Sequence, residues 1–567
     1  MKNSLKALLA LSLLLAACAP SITTSAECSS PGAQIAFADP VVEAAVKAEL
    51  EDDGPVTCRE LSRLQNLTIP AELGTAQTLA DLAGAERLRN LRVNRHAIRD
   101  LSPLLGLERL DVLQIVNNEI SDISLLPQTP IRTLFLSGNP IGDASVLAQM
   151  PTLKLLLLGD TGISDISFVE GLTNLERLEL NSNAISDISP LLNLSNLERL
   201  RLDRNEIDDL LALSGMSKLE FLHVGSNRVR SLAPIGGLTN IDELNVGNNQ
   251  ISDLSPLATL PLLRKLDASR NEITDISPLA NLTVMTDLLL SRNKLTQIIP
   301  LANLTELDTL DLRSNDLRNV DALSGLNKLE DLRLGSNGIK DISPLSGLTL
   351  LTDLSLERNA VEDISPLVNL GNLTDLSLGS NPLSDFSILE NLSNLTALDV
   401  SRSGLSDLSP LYALTGLDEL NLSSNALTDL SDLSRFPLLD ELRLDRNGLS
   451  DLSTMGELPN LTELSLTGNE LTEVGPLVAY PGLESLGLSD NNLTDISALA
   501  QLPNLRSVSM SRNGLSDISP LLSAPSLTAV SLKANCLDLA GDAMQVIETL
   551  QAQGVDVSFE DQQVCEK

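Results

Sequence analysis

Leucine and isoleucine return along this chain in a fixed rhythm. Residues 175–183 read Leu-Glu-Arg-Leu-Glu-Leu-Asn-Ser-Asn, and residues 184–194 continue Ala-Ile-Ser-Asp-Ile-Ser-Pro-Leu-Leu-Asn-Leu. Leu178 and Leu180 alternate with polar neighbours, which predicts a short strand buried on one face. One such unit cannot close a core. Stacking Leu175, Leu178, Leu180, Ile185, Ile188, Leu191 and Leu194 on counterparts 22 residues away builds a continuous apolar column. The slot at Asn183 is filled by asparagine every 22 residues from Asn118 to Asn535, with one 21-residue interval between Asn118 and Asn139. His96, Thr161 and Ser403 depart from it. Asn183 is predicted to point inward and bond backbone groups of adjacent turns, because a buried amide is tolerated only when it is so bonded. Ser189-Pro190 predicts a cap followed by a first-turn proline, opening a short 3₁₀ or helical turn on the outer wall. Ser255-Pro256, Ser277-Pro278 and Ser343-Pro344 repeat it.

The repeated sentence Leu-x-x-Leu-x-Leu-x-x-Asn-x-Ile-x-Asp-Ile-Ser-Pro-Leu-x-x-Leu resembles the leucine-rich repeat family. Its Asp-Ile-Ser-Pro-Leu half and its length resemble the internalin type of bacterial surface proteins. The resemblance covers about three quarters of the chain. It implies an α/β-type leucine-rich repeat solenoid, with a long parallel β-sheet on the concave face and short 3₁₀ or irregular turns on the convex face. It also implies a helical N-terminal cap and a helix-strand C-terminal cap. About 21 coils spaced roughly 4.8 Å apart predict a curved rod with a sheet on the order of 100 Å long. The expected organisation is a lipoprotein signal peptide at 1–17, a flexible tether at 18–32, an N-terminal cap at 33–87, repeats at 88–536 and a C-terminal cap at 537–567. Within the caps, residues 39–50 have helical apolar spacing, 543–553 read as an amphipathic helix and 555–559 as a last strand.

The ends bear on location. Lys2 and Lys6 precede an apolar run, residues 8–17, too short to span a bilayer and read as a secretion signal. Leu15-Ala16-Ala17-Cys18 resembles a bacterial lipoprotein cleavage box, which implies that Cys18 is the lipidated first residue of the mature chain. Ala19 after it implies the outer membrane, on the periplasmic or the surface face. The Ser-, Thr- and Pro-rich residues 20–32 read as a tether. Four cysteines would remain, Cys28, Cys58, Cys536 and Cys565. In an exported chain without metal-ligand spacing they favour disulfides, Cys28 with Cys58 and Cys536 with Cys565.

The formal charge of −37 becomes about −39 once Lys2 and Lys6 leave with the signal. Such a surface repels phosphate, so no nucleic-acid partner is expected. Two histidines, His96 in the first Asn slot and His223 on an outward strand position, give catalysis almost nothing to use. No enzyme activity, cofactor or metal site is expected. The Asp of Ser-Asp-Ile-Ser, as at Asp122, Asp165, Asp187 and Asp253, recurs where a turn needs a side-chain acceptor.

Function should be written where the repeats differ, on outward strand positions free of the packing constraint. There Val112, Gln114, Val116, Phe135, Leu155 and Leu157 are followed by Arg177, Arg199, Arg201 and Arg204, and then by Phe221 and His223. Apolar anchors beside arginine and an aromatic are what binding hot spots favour, so these residues form the expected partner site. Beyond them Glu243, Asp287, Asp331, Asp353, Asp375, Glu419, Glu441 and Glu463 make an acidic column, and Ser485, Ser507 and Ser509 a bland one. The expectation is a monomeric, lipid-anchored module of the bacterial cell envelope that binds a protein on its concave face. A structural envelope spacer or surface coat without a specific ligand is the alternative.

Overall fold

The structure, a computed structural model, describes residues 22, 23, 28, 30–427 and 429–563. The expected signal peptide with Cys18, most of the expected tether and Cys565 lie outside the described residues. The chain divides into two compact units, Met1–Pro278 and Leu279–Lys567. Each is a solenoid of three-residue strands alternating with short 3₁₀ turns.

In unit 1 the parallel sheet runs in register from Asn66–Ile69 to Lys265–Asp267. It therefore starts inside residues 33–87, the segment read as cap, because Leu67 and Ile69 already stack on Leu91 and Val93. In unit 2 the sheet runs from Asp287–Leu289 to Asp556–Ser558. The central residue of each strand is buried, as are the apolar positions of the following turn; Leu178, Leu180, Ile185, Leu191 and Leu194 are all 0% exposed. The 21-residue coil keeps its register, pairing Val112 with Thr133. Its missing residue falls between Leu126 and Ile131, where a regular coil carries one more core leucine, such as Leu194.

The asparagine column ties coil to coil. Asn205 Nδ2 donates to Leu180 O of the preceding coil at 3.0 Å and to Leu202 O of its own at 2.9 Å, while its Oδ1 accepts from Ile185 N at 3.0 Å. One side chain thus satisfies three backbone groups that the strand ladder cannot reach. The departures solve the same problem differently. His96 Nδ1 accepts from Ala76 N at 3.1 Å, which leaves Nε2–H to donate to Ile69 O at 3.0 Å. Thr161 donates to Leu158 O at 2.7 Å, and Asn183 of the next coil covers Thr161 N and Ile163 N.

The outer turns correct one expectation. Ser189 is the first residue of the 3₁₀ turn Ser189–Leu191, not its cap. Asp187 performs the capping, its Oδ1 accepting from Ser189 N at 2.8 Å. The same bond recurs at Asp122, Asp165 and Asp253. These backbone bonds and the hydroxyl of the same serine favour the carboxylate and hold Asp187, Asp275 and Asp341 below the usual aspartate value, and at Asp122 the Ser124 hydroxyl leads and the backbone bond follows.

Both ends are covered. Asp39 caps the helix Pro40–Leu50 through Val41 N at 2.9 Å and also accepts from Gln77 N at 2.6 Å. Asp81, 3% exposed, accepts from Ala38 N and Asp39 N, so two buried acids staple the helix to the first coils. Cys28 and Cys58 form a disulfide. Cys536 is also disulfide-bonded, but its expected partner Cys565 is among the undescribed residues. At the other end the helix Asp542–Ala552 buries Ala543, Ile547 and Leu550, and Asp556–Ser558 pairs with Ala529–Ser531. Gln562 there stands in for the next asparagine, donating to Leu532 O and accepting from Asn535 N.

Candidate functional site

The expected site residues lie on the open side of adjacent strands in unit 1. Because the ladder is in register, they form two columns. One runs Val112, Thr133, Leu155, Arg177, Arg199, Phe221, and the other Gln114, Phe135, Leu157, Glu179, Arg201, His223. Val112, Val116, Phe135, Leu155 and Leu157 are half-buried on that side. The shortened coil has not turned them into the core. Gln114 is engaged by Arg92 at 2.8 Å.

Toward Phe221 the surface becomes charged but compensated. Arg177 Nε donates to Glu179 Oε1 at 2.8 Å, and Arg201 to Asp203 Oδ2 at 3.2 Å. The Arg199 guanidinium sits 4.3 Å from the Phe221 ring centre, a cation–π contact, and the His223 ring lies 3.9 Å from the other aromatic. His223 Nε2 is 3.0 Å from Glu243 Oε1, and Nδ1 is 3.7 Å from Asp203 Oδ1. Burial lowers the His223 pKa, against the opposing pull of Asp203 and Glu243. Arg201 Nε and Asp203 Oδ1 are buried without a hydrogen-bond partner. A polar hollow lined by Asn181, Arg201, Asp203, Arg204, His223 and Asn245 opens beside them. Arg204 itself is not on the strand face. It follows the strand with φ of 55° and is exposed at the edge of the hollow.

Sequence reasoning placed Glu243 in the separate acidic column; the ladder makes it the hydrogen-bond partner of His223 instead. The signal was the 22-residue step between Phe221 and Glu243, which makes them neighbours. Among the described residues no cluster of His, Cys, Asp or Glu could hold a metal ion. None of the described helices is long and apolar enough to cross a membrane.

Coils that bury leucine on one side and vary on the other define a leucine-rich repeat protein. The family Leucine rich repeat matches residues 459–515, and Leucine Rich repeats (2 copies) matches 151–193, 173–215, 217–259, 305–347 and 327–369. An internalin (inlF) from Listeria monocytogenes is 32% identical over 65% of this chain and 96% of its own, with a TM-score of 0.46. The plant peptide hormone receptor RGFR1, solved in complex with RGF2, is 19% identical over 96% of this chain and 93% of its own, with a TM-score of 0.58. The Arabidopsis receptor kinase HAESA, solved in complex with the peptide hormone IDA and the co-receptor SERK1, is 18% identical over 92% and 96%, with a TM-score of 0.54. No curated protein matches the chain. The plant likenesses show the fold alone. The chain belongs to the leucine-rich repeat family, and its repeats are of the internalin type.

Proposed function

We propose that this chain is a lipid-anchored, extracytoplasmic module that binds another protein on the open strand face of unit 1. The observation that carries the reading is the run of half-exposed Val112, Phe135, Leu155 and Leu157 leading into the Arg199–Phe221–His223 stack. Large apolar groups left facing water have no folding role there, and beside arginine and an aromatic they supply hot-spot chemistry. The backbone beneath them is ordered by a continuous ladder, so docking costs little conformational entropy. The anchor at Cys18 and an envelope location, on either face of the outer membrane, rest on the sequence of the first residues. The acidic column of unit 2 favours a second reading, a surface spacer whose charge only keeps it apart from other molecules.

The test immobilises the soluble chain beginning after Cys18 and identifies what it captures from envelope extracts. A quadruple variant, Val116→Asp, Phe135→Ser, Leu157→Asp and Arg201→Glu, runs beside it. A protein retained only by the unaltered chain, at equal thermal stability of both, supports the binding module. Equal capture, or none, contradicts it in favour of the spacer.

A further inference from the structure

Unit 2 carries a row of acids on the open side of its strands and a row of arginines at the edge of that side. The first row is Asp331, Asp353, Asp375, Glu419 and Glu441, in register through Ala397. The basic residues on these strands are held within their own strand, Arg333 by Asp331 at 2.7 Å and Arg443 by Glu441. The second row lies one step past the strands, immediately before the asparagine slot. There Arg292, Arg358, Arg402 and Arg446 have φ of 54°, 56°, 51° and 54°.

That left-handed backbone strains a residue with a side chain, and glycine, asparagine or aspartate is its ordinary occupant. Coils between them use Ser314, Ser336, Ser380 and Ser424, and the next coil uses Gly468. The four arginines are exposed, and among the described residues none has a carboxylate within ion-pair distance, in a chain with 76 acidic residues. Farther along the row Arg512 is paired with Asp490 at 3.3 Å, but at these four positions neither backbone preference nor internal pairing explains an arginine, and lysine never replaces it in the row. A planar guanidinium is suited to bidentate capture of a carboxylate.

The neighbouring row restricts what can approach. A polyanion that reached the arginines would be repelled by the acidic row, and a polycation on the acids would be repelled by the arginines. An extended polypeptide sends successive side chains to opposite sides, so a single segment can answer both rows. We propose that this edge of unit 2 docks an extended polypeptide segment of alternating acidic and basic side chains. Its carboxylates meet Arg292, Arg358, Arg402 and Arg446, and its cations meet Asp331, Asp353, Asp375, Glu419 and Glu441. Two coils separate Arg358 from Arg402 and Arg402 from Arg446, about 10 Å each. Same-side residues of the segment recur about every 7 Å, so the long arginine stems meet them without strict register. This surface is separate from the Phe221 cluster and stands or falls independently of it.

The experiment titrates fluorescent 16-residue peptides of alternating Glu-Lys, all-Glu and all-Lys into the soluble chain, read by anisotropy at low and physiological salt. The alternating peptide is expected to bind most tightly. The triple variant Arg358→Gln, Arg402→Gln, Arg446→Gln should weaken it at least tenfold while leaving the all-Lys peptide bound as well or better. A second variant, Asp353→Asn with Asp375→Asn, should remove the preference for alternating over all-Glu peptide. Unchanged binding of the alternating peptide to the triple variant would overturn the proposal. So would all-Glu peptide binding as tightly as the alternating one, or no binding of the alternating peptide to the unaltered chain.

Discussion

In unit 1, Arg177 and Arg201 find their carboxylates two residues along the chain, at Glu179 and Asp203, and Arg199 lies over Phe221. In unit 2, Asp331, Asp353 and Asp375 stand on neighbouring strands at the same column position. Burial, and then the adjacent acids, keep Glu419 above its usual value, and Asp331 is raised mainly by burial although Arg333 opposes the shift. The strands beneath are the same: a buried leucine flanked by two outward positions. The scaffold therefore sets only where a side chain points. Unit 1 uses that freedom for a compensated, partly apolar surface whose strength would come from excluding water, whereas unit 2 uses it for an acidic field that Arg333 and Arg443 offset only in part, which acts at longer range and weakens with salt.

If the scaffold is shared, core losses should be alike in both units. Leu178→Ala and Leu354→Ala, at positions 0% and 2% exposed, should each cost about 2 to 5 kcal/mol. Chemical denaturation of the two variants checks this; a much smaller loss in either would show that its strand is not packed as described. Asn205→Ala strands Leu180 O, Leu202 O and Ile185 N, and should cost about 3 kcal/mol in the same assay. An unchanged midpoint would mean that water replaces the amide.

The pH dependence separates the two carboxylate populations. Turn aspartates such as Asp187 and Asp341 have lowered folded pKa values, so their contribution is complete above the unfolded value near 3.8 and is lost as pH falls below it. Asp331 and Glu419 have raised values, so their ionised forms oppose folding at neutral pH. That opposition is relieved as pH falls through the raised values toward 3.8 and 4.5. Thermal melting is therefore expected to hold or rise on mild acidification, then drop below about pH 3.8. Asp331→Asn with Glu419→Gln should remove the first phase and leave the second. The smallest effect expected is at Ser336, whose φ of 56° disfavours a branched side chain; Ser336→Val should cost about 1 kcal/mol in chemical denaturation.

Periodicity made the strands, the inward asparagines and the turn aspartates legible, because each obeys a packing or bonding need that repeats with the coil. What was hidden depended on substitutions that keep the geometry and change the chemistry. His96 reproduces the asparagine's donor and acceptor with two ring nitrogens, and nothing in its neighbours announces that. The capping role passed from Ser189 to Asp187 because a 3₁₀ turn starting at the serine leaves its N–H for the aspartate two residues back. The left-handed step before the asparagine slot was masked at most coils, because glycine stands there only at Gly138 and Gly468 while arginine and serine fill most of the others. At the site, the outward positions were readable from alternation. The contact of His223 with Glu243 required aligning two successive coils.

The central claim is that the captured protein partner is recognised on the unit 1 face and that the scaffold is indifferent to it. Isothermal titration of the captured partner into the soluble chain and into Phe221→Ala and Asp375→Asn variants tests it most directly. The account predicts a loss of about 2 kcal/mol or more, some thirtyfold, for Phe221→Ala and little change for Asp375→Asn, with all three proteins melting alike. Equal affinity of the Phe221→Ala variant, or a larger loss for Asp375→Asn, would contradict it.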